Sequence, residues 1–422
     1  MFAGAESRSM KRAKIVLDKV GDVTISISTI ERVLQDVGAE LKDLRECAPS
    51  RLPKSLVPPL PAGPPKLAVV MADGGRMMTR QPGNGRGVHE QAWRETKNAS
   101  FESMSHQTFE NDPQPEIPQC FTEPKHVAEI SGTAPLNVKI SHTATKKQAD
   151  APESERATSS HDASVTQADD ATQTGNAAGT DASADISDHR PKRLLRTCLS
   201  SLACSSDFGL QMSRESQRRL LHKATARAFI GDGLSWNWMI WKKLFPTFEP
   251  ILDFMHAVEY VYAASVLIHG ADHQAAWTCY LRWAQACWSG NVGSVIPELH
   301  VWLQSRGLDP AATLDEKHPD KAVHDAHRYL TNNESRMDYA RYRRAGLPVT
   351  SAPMESLVKQ VNLRVKGTEM FWNDADRGGE SILQIKAAAL SDDSRLETYL
   401  SNRPGSPFVR KQPSFASTNS KS

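Results

Sequence analysis

"KLAVVMADGGRMMTR", residues 66–80, decides how the rest of the chain is read. A mostly apolar run enters Asp73, and Gly74 and Gly75 follow it. Apolar runs of this length mark buried strands, and a strand that ends on a carboxylate sets an acid at the rim of a sheet. Asp-Gly is also an ordinary turn signal, so the stretch alone leaves two readings. A second occurrence adds weight to the functional one: "FIGDG", residues 229–233, ends an apolar run on Asp232 and again continues with glycine.

Carboxylates at the ends of neighbouring strands converge at one rim. Buried together they repel, and they need a compensating cation. Hard oxygen ligands select Mg²⁺ or Mn²⁺. A later helical pattern supplies a third acid. At about 100° per residue, Glu355, Lys359, Asn362 and Lys366 form one polar stripe beside an apolar face of Met354, Leu357, Val358, Val361 and Val365. Pro353 suits the helix start. Asp73, Asp232 and Glu355 thus form a candidate metal-binding and catalytic triad for two-metal phosphoryl transfer, with ions roughly 3.5–4 Å apart. Lys359 and Lys366 would extend along a phosphate backbone.

The bulk numbers bound this reading. The chain has 422 residues, 39% hydrophobic and 24% charged, enough for two or three domains but diluted by some segment with little to bury. A net charge of +2 neither demands nor excludes a polyanionic partner. Cys47, Cys120, Cys198, Cys204, Cys279 and Cys287 form no C-x-x-C pair, which predicts reduced thiols rather than a zinc or redox motif. No signal-peptide core and no run of about 20 apolar residues is present, which predicts a cytoplasmic protein without membrane contact, nucleoid-associated if it binds DNA.

Pattern changes divide the chain. Residues 1–47 predict two helices, "MKRAKIVLDKVG" (10–21) and "ISTIERVLQDVGAEL" (27–41), the second with Ile30, Val33, Leu34, Val37 and Leu41 on one face behind Ser28 or Thr29 as N-cap. They read either as a truncated helix-turn-helix that sets its second helix in a DNA groove or as a hairpin for packing or dimerisation. Residues 48–65 are a proline-rich linker. Residues 66–140 carry the Asp73 strand, a polar glycine-rich turn, and an antiparallel partner in "QAWRETKNASFESM" (91–104). Residues 141–190, rich in Ala, Ser, Thr and Asp, predict a disordered low-complexity insertion. Residues 191–271 alternate strands and helices, 272–346 predict an all-helical insertion, 347–410 carry the Glu355 helix, and 411–422 are a polar tail. The predicted class is α/β, a mixed sheet flanked by helices.

In order along the chain, "VMADGGRMMTR", "RGVHEQAWRETKNASF", "LLRTCLSSL", "FIGDGLSWNW", "ILDFMHAVEYVYAAS", "YRRAGLPVTSAPMESLVKQVNLRVKGTEMFW" and "SILQIKAAALS" cover most of residues 66–391 outside the insertion. These blocks resemble those of DDE-type bacterial insertion-sequence transposases, most closely the ISKra-type family. The resemblance implies a ribonuclease H-like catalytic domain and a metal triad at Asp73, Asp232 and Glu355, with Asp73 shared by two Mg²⁺ or Mn²⁺ ions. It also implies hydrolysis at transposon ends, joining of the 3′-hydroxyl to target DNA, and homo-oligomers assembled on DNA. Two departures stand out. The region before Asp73 is shorter than the family usually carries, and 141–190 has no counterpart. A catalytically inactive or truncated transposase-derived DNA-binding protein, and a metal-dependent nuclease of the same fold, are the rival expectations.

In "DFMHAVEY" the residues Asp253, His256 and Glu259 fall three apart, a spacing that drifts around a helix. The segment resembles the Asp/Cys-x-x-His element of Mutator-like transposases, which implies His256 as an active-site neighbour. His324 and His327 lack partners at zinc spacing and read as solvated helix residues. Trp277, Trp283, Trp288 and Trp302 read as core. Arg341, Arg343 and Arg344 precede the Glu355 helix, and their position points to phosphate contact.

Overall fold

The computed structural model describes residues 2–7, 9–56, 63–79, 92–138, 189–366, 372 and 378–403. Most of the predicted insertion at 141–190, part of the proline-rich linker, the turn after residue 79 and the 411–422 tail lie outside the described residues.

The strands are β1 (Leu67–Thr79), β2 (Ala92–Met104), β3 (Arg193–Ser201), β4 (Ala226–Gly231) and β5 (Glu249–Leu252). They form one mixed sheet in the order β3-β2-β1-β4-β5. β1 to β3 pair antiparallel, whereas β1, β4 and β5 run parallel. The chain is therefore α/β with a mixed five-stranded sheet flanked by helices.

β1 does not end in a turn at Asp73. It continues through both glycines, Gly74 opposite Lys97 and Gly75 opposite Thr96. A Cβ on Gly75 would meet Thr96 Oγ1 at 2.6 Å and Asn98 Nδ2 at 3.1 Å. The missing side chain admits these polar neighbours from β2, not a bend.

The helices in chain order are α1 (Phe2–Glu6), α2 (Met10–Lys19), α3 (Ile27–Glu46), α4 (Pro124–Ile130), α5 (Ser205–Arg218), α6 (Ser235–Leu244), α7 (Phe254–His269), α8 (His273–Trp288), α9 (Val295–Ser305), α10 (Lys321–Asn333), α11 (Tyr339–Arg344), α12 (Ala352–Val365), α13 (Glu380–Ala389) and α14 (Arg395–Asn402). Alternation along β1 gives the sheet two faces. Ala68, Val70 and Ala72 join Phe101, Leu199 and Phe229 in a core that includes Phe208 and Met212 of α5 and Ile240 of α6. Each fully buried large side chain there contributes about 1.5–3 kcal/mol. The opposite face, with Leu67, Val69, Met71 and Asp73, carries α12 against β1 and β2, and α13 packs on β3.

Between the sheet and α12 the chain is helical as expected, with two corrections. Residues 306–320 contain no helix: Gly307 takes φ +67° just past α9, and Pro310 and Pro319 follow it. His324 and His327 are buried, not solvated, because they flank the apolar stripe Val323, Ala326 and Leu330 of α10. Trp277, Trp283 and Trp288 are core residues, while Trp302 is half-buried beneath Arg306, whose guanidinium lies 5.2 Å from the ring centroid.

The N-terminal helices belong to the same compact unit as the sheet. α3 starts one turn earlier than expected, capped by Ser26, whose hydroxyl accepts from Thr29 N at 3.1 Å. Its apolar face, Ile30, Leu34, Val37 and Leu41, is buried, and α3 packs on α13. Its exposed charges are mostly acidic, with Glu31, Asp36, Asp43 and Glu46 against Arg32. The buried face of α3 thus serves packing within the unit, and its solvent face is mostly acidic. At the crossing, a Cβ on Gly38 would fall 2.4 Å from Ser381 Cβ and 2.5 Å from its Cα. Gly38→Ala should therefore force the helices apart and cost about 1–3 kcal/mol, read as a lower urea midpoint. An unchanged midpoint would show the crossing to be loose.

Beneath α3 lies a buried ionic cluster. Glu215 of α5 accepts from Arg395 at 2.7 Å and from Arg218 at 3.3 Å, and Asp393 accepts from Arg395 at 2.6 Å and from Thr197 at 2.8 Å. Burial raises both carboxyls, but the surrounding guanidiniums, Arg395 first, hold them below the usual carboxylate range. Their folded pKa values thus lie below the unfolded values near 4. Their stabilisation is complete above that range and is lost as pH falls through the folded values. Glu215→Gln should cost about 3–5 kcal/mol at pH 7, with the deficit against wild type shrinking as the buffer is taken below pH 4. A deficit constant across that window would refute the ionic account.

Candidate active site

The parallel register pairs Ala72 with Gly231 and Gly231 with Leu252. The residue after each, Asp73, Asp232 and Asp253, is thereby carried to one rim, where Asp253 N donates to Gly231 O at 2.9 Å.

Asp73 lies mid-strand on β1, opposite Asn98 of β2. Burial and then the charge of Asp232 push its carboxyl up to about 7, against the opposing pull of His256 and the Gly74 N–H. Asp232 is also raised by burial, and it is held in place by two donors: Oδ1 accepts from Leu234 N at 2.9 Å and from Asn237 Nδ2 at 2.6 Å. Neither bond uses Oδ2. Asn237, in the first turn of α6, is fully buried, and its Nδ2 also reaches Ala72 O at 3.4 Å. From α10, Tyr329 Oη donates to Asp232 O at 2.7 Å and stacks on Tyr260 at 3.9 Å. Gly233 makes room for it: φ is +98°, and a Cβ there would lie 2.5 Å from the Tyr329 ring.

His256 joins this group despite the drifting spacing, because Asp253 caps α7 and lies outside its helical turns. Its Nδ1 lies 3.3 Å from Glu259 Oε2 and its Nε2 3.9 Å from Asp253 Oδ2. Burial disfavours the imidazolium, but the Glu259 hydrogen bond and the charges of Asp253, Glu259 and Asp232 outweigh it and raise the pKa to about 10. At neutral pH His256 is a cation facing the aspartates.

Asp253 itself is fully buried and fully engaged. It accepts from Met255 N at 3.2 Å, Ser351 N at 3.1 Å and Ser351 Oγ at 2.5 Å, while Phe254 N donates to Val349 O at 3.1 Å. Since Ser351 precedes α12, these bonds fix the start of the Glu355 helix. α12 then runs past Asp73: Ala352 and Pro353 line a cavity of about 470 Å³ with Met71 and Met255, and Asn362 Oδ1 lies 3.5 Å from where a Gly75 Cβ would be. Glu355 shares the stripe of Asn362, is 29% exposed, and accepts from Lys359 at 3.3 Å.

The structure thus brings Asp73, Asp232 and His256 together electrostatically and sets Glu355 on the adjoining helix, turned toward Lys359. Among the described residues no three His, Cys, Asp or Glu side chains are grouped closely enough to hold one ion. The donor chemistry at the rim does fit a hard divalent cation: burial raises both carboxyls, the charge of Asp232 raises Asp73 further, and Asp232 keeps one oxygen unused.

Of the predicted phosphate-contacting residues, Lys359 is well exposed, and Lys366 sits 5.8 Å from the Trp93 ring centroid at the end of α12. Arg344 is exposed, whereas Arg341 is paired with Glu249 at 2.7 Å and Asp338 at 3.2 Å. Arg343 is a correction. It is buried, forked onto Asp112, bonded to Trp288 O at 3.0 Å and stacked on the Trp288 ring, so it holds the fold and is closed to a polyanion. Asn237, Tyr329 and Ser351 were not singled out in the sequence. Only Asn237, in the first helical turn after Asp232, had a local signal.

No protein-family model matches the chain, and no curated protein matches it significantly. No described helix is long and apolar enough to cross a membrane.

Ser351→Ala removes one charge-assisted bond to a buried carboxylate. The expected cost is about 1.5–3 kcal/mol, with faster amide exchange in the first turn of α12. Unchanged exchange there would show that Asp253 does not anchor the helix.

Proposed function

We propose that this chain is a DNA transposase of the DDE type, with a ribonuclease H-like catalytic domain that cleaves DNA at transposon ends and joins the 3′-hydroxyl to target DNA. The observation that carries the reading is the placement of Asp73, within β1, beside Asp232, just past the end of the adjacent parallel strand β4, in a sheet ordered 3-2-1-4-5 whose first three strands are antiparallel. That strand order and the seven ordered sequence blocks support the same family.

Asp73 and Asp232 would hold the metal, and Glu355 would complete the set by exchanging Lys359 for the ion. Bound Mg²⁺ or Mn²⁺ would supply Lewis-acid stabilisation of the phosphoryl oxygens and activate the attacking oxygen. Asn237 and Tyr329 keep Asp232 in one orientation through its carboxylate and its carbonyl. His256 offsets the carboxylate charge before any ion enters and presents a cation to an approaching phosphate. Lys359 and Lys366 extend that positive edge along α12. DNA and further copies of the chain on paired DNA ends are the proposed partners.

The test is incubation of the purified chain with Mn²⁺ and DNA carrying the repeats that flank its gene. End cleavage with joined products is expected, and Asp73→Ala or Glu355→Ala should lower the rate by at least about 10³-fold, in line with losing a principal electrostatic stabiliser. Cleavage without joining would leave a nuclease, binding without cleavage would leave a DNA-binding derivative, and full activity in either variant would refute the triad.

A further inference from the structure

The ionic cluster beneath α3 is unbalanced. Arg45, Arg218, Arg219 and Arg395 meet there, while Glu215 and Asp393 are the carboxylates that bond to them. Glu380 lies within electrostatic reach of Arg45, but its oxygens are used by Ser201 Oγ, Leu202 N and Gln384 Nε2.

Arg45, from the last turn of α3, is the residue left over. It is 5% exposed, its Nη2 makes a long 3.4 Å bond to Cys198 O, and its Nη1 has no acceptor. Among the described residues it forms no ion pair. Arg218 Nε and Arg219 Nη1 also lack acceptors, although Arg218 gives its Nη2 to Leu44 O at 2.7 Å and Cys47 O at 2.8 Å. All three arginines line one cavity of about 60 Å³, together with Arg395, Leu41, Leu44, Tyr399 and Glu215, whose charge also reaches Arg45 but whose oxygens are bonded to Arg395, Arg218 and Arg219. Burial, then the charge of Arg395, pulls Arg45 down to about 9, which leaves it cationic at neutral pH.

A buried charge without a partner is strongly unfavourable, and buried donors are normally satisfied. Water in the cavity would accept the hydrogen bonds but leave the charge uncompensated. A small anion answers both demands, and the volume suits a halide or one inorganic oxyanion. We propose that Arg45, Arg218 and Arg219 form an internal site for a small inorganic anion at the junction of α3, α5 and α14. The anion binds the folded chain alone, because the three arginines meet only when α3 is docked. It therefore fastens the N-terminal helices to the sheet, independently of any chemistry at Asp73.

The test is urea unfolding of the full chain at constant ionic strength and pH 7, with sodium gluconate, too bulky for the cavity, replaced stepwise by sodium bromide or sodium phosphate. At an anion concentration ten times the dissociation constant, the unfolding equilibrium constant should fall about elevenfold. Arg45→Met and Arg45→Gln should abolish this dependence, and both should remain folded in gluconate, since neither breaks an ion pair. Crystals grown in bromide should show an anomalous peak among the three guanidiniums. Stabilisation by bromide alone identifies a halide site, and stabilisation by phosphate alone an oxyanion site. Equal midpoints in all three salts, the same salt dependence in both variants, or stabilisation by bromide without that peak in bromide crystals would overturn the proposal.

Discussion

The parallel pairing of β1 with β4 brings two buried aspartates of like charge to adjacent positions, and much of the surrounding structure answers that repulsion. Asn237 is buried to donate to Asp232, the chain turns at Gly233 so that Tyr329 can reach its carbonyl, and His256 is kept cationic by Glu259 and Asp253. None of these groups improves the apolar core. Their common effect is to hold negative charge where burial disfavours it.

Asp253 extends the same logic to the next layer. Its carboxylate spends its acceptors on the cap of α7 and on Ser351, joining two helices distant in sequence. The Glu355 helix thereby starts at a fixed height above the sheet. These polar bonds act together with the buried face of Met354, Leu357, Val361 and Val365.

β1 and β4 were legible because each carries its signal locally: an apolar run, an acid, a glycine. Mixed pairing also followed from the antiparallel partner after Asp73 and the strand–helix alternation that comes later. The strand continuation past Asp73 was hidden, since Gly74 and Gly75 are turn residues by composition, and it is the crowding from Thr96 and Asn98 that explains Gly75. His324, His327 and Arg343 were misread for a related reason. A charged or polar side chain on a helix defaults to solvent in sequence, and what buries these three is tertiary: the α10 stripe in one case, and Asp112 with Trp288 in the other. Asp73, Asp232 and Glu355 each carry a local signal, whereas Tyr329 and Ser351 act across long separations that no local pattern encodes.

The length of β1 gives the rim an asymmetry. β4 ends at Gly231, level with Ala72, yet β1 and its partner β2 run on together to Thr79 and Ala92. Beside Asp73 and Gly74 the sheet is still backed by β3, and the pairs from Gly75 to Thr79 then continue as a two-stranded ribbon, roughly 15 Å long at about 3.3 Å per residue. Asp73 therefore stands at the foot of a ledge. One flank of the carboxylate pair is walled by continuous backbone hydrogen bonding, and the other is formed by the turn at Gly233. The step therefore has two unlike sides: a ribbon held by backbone pairing on one, and on the other a glycine turn held by Tyr329 and Asn237.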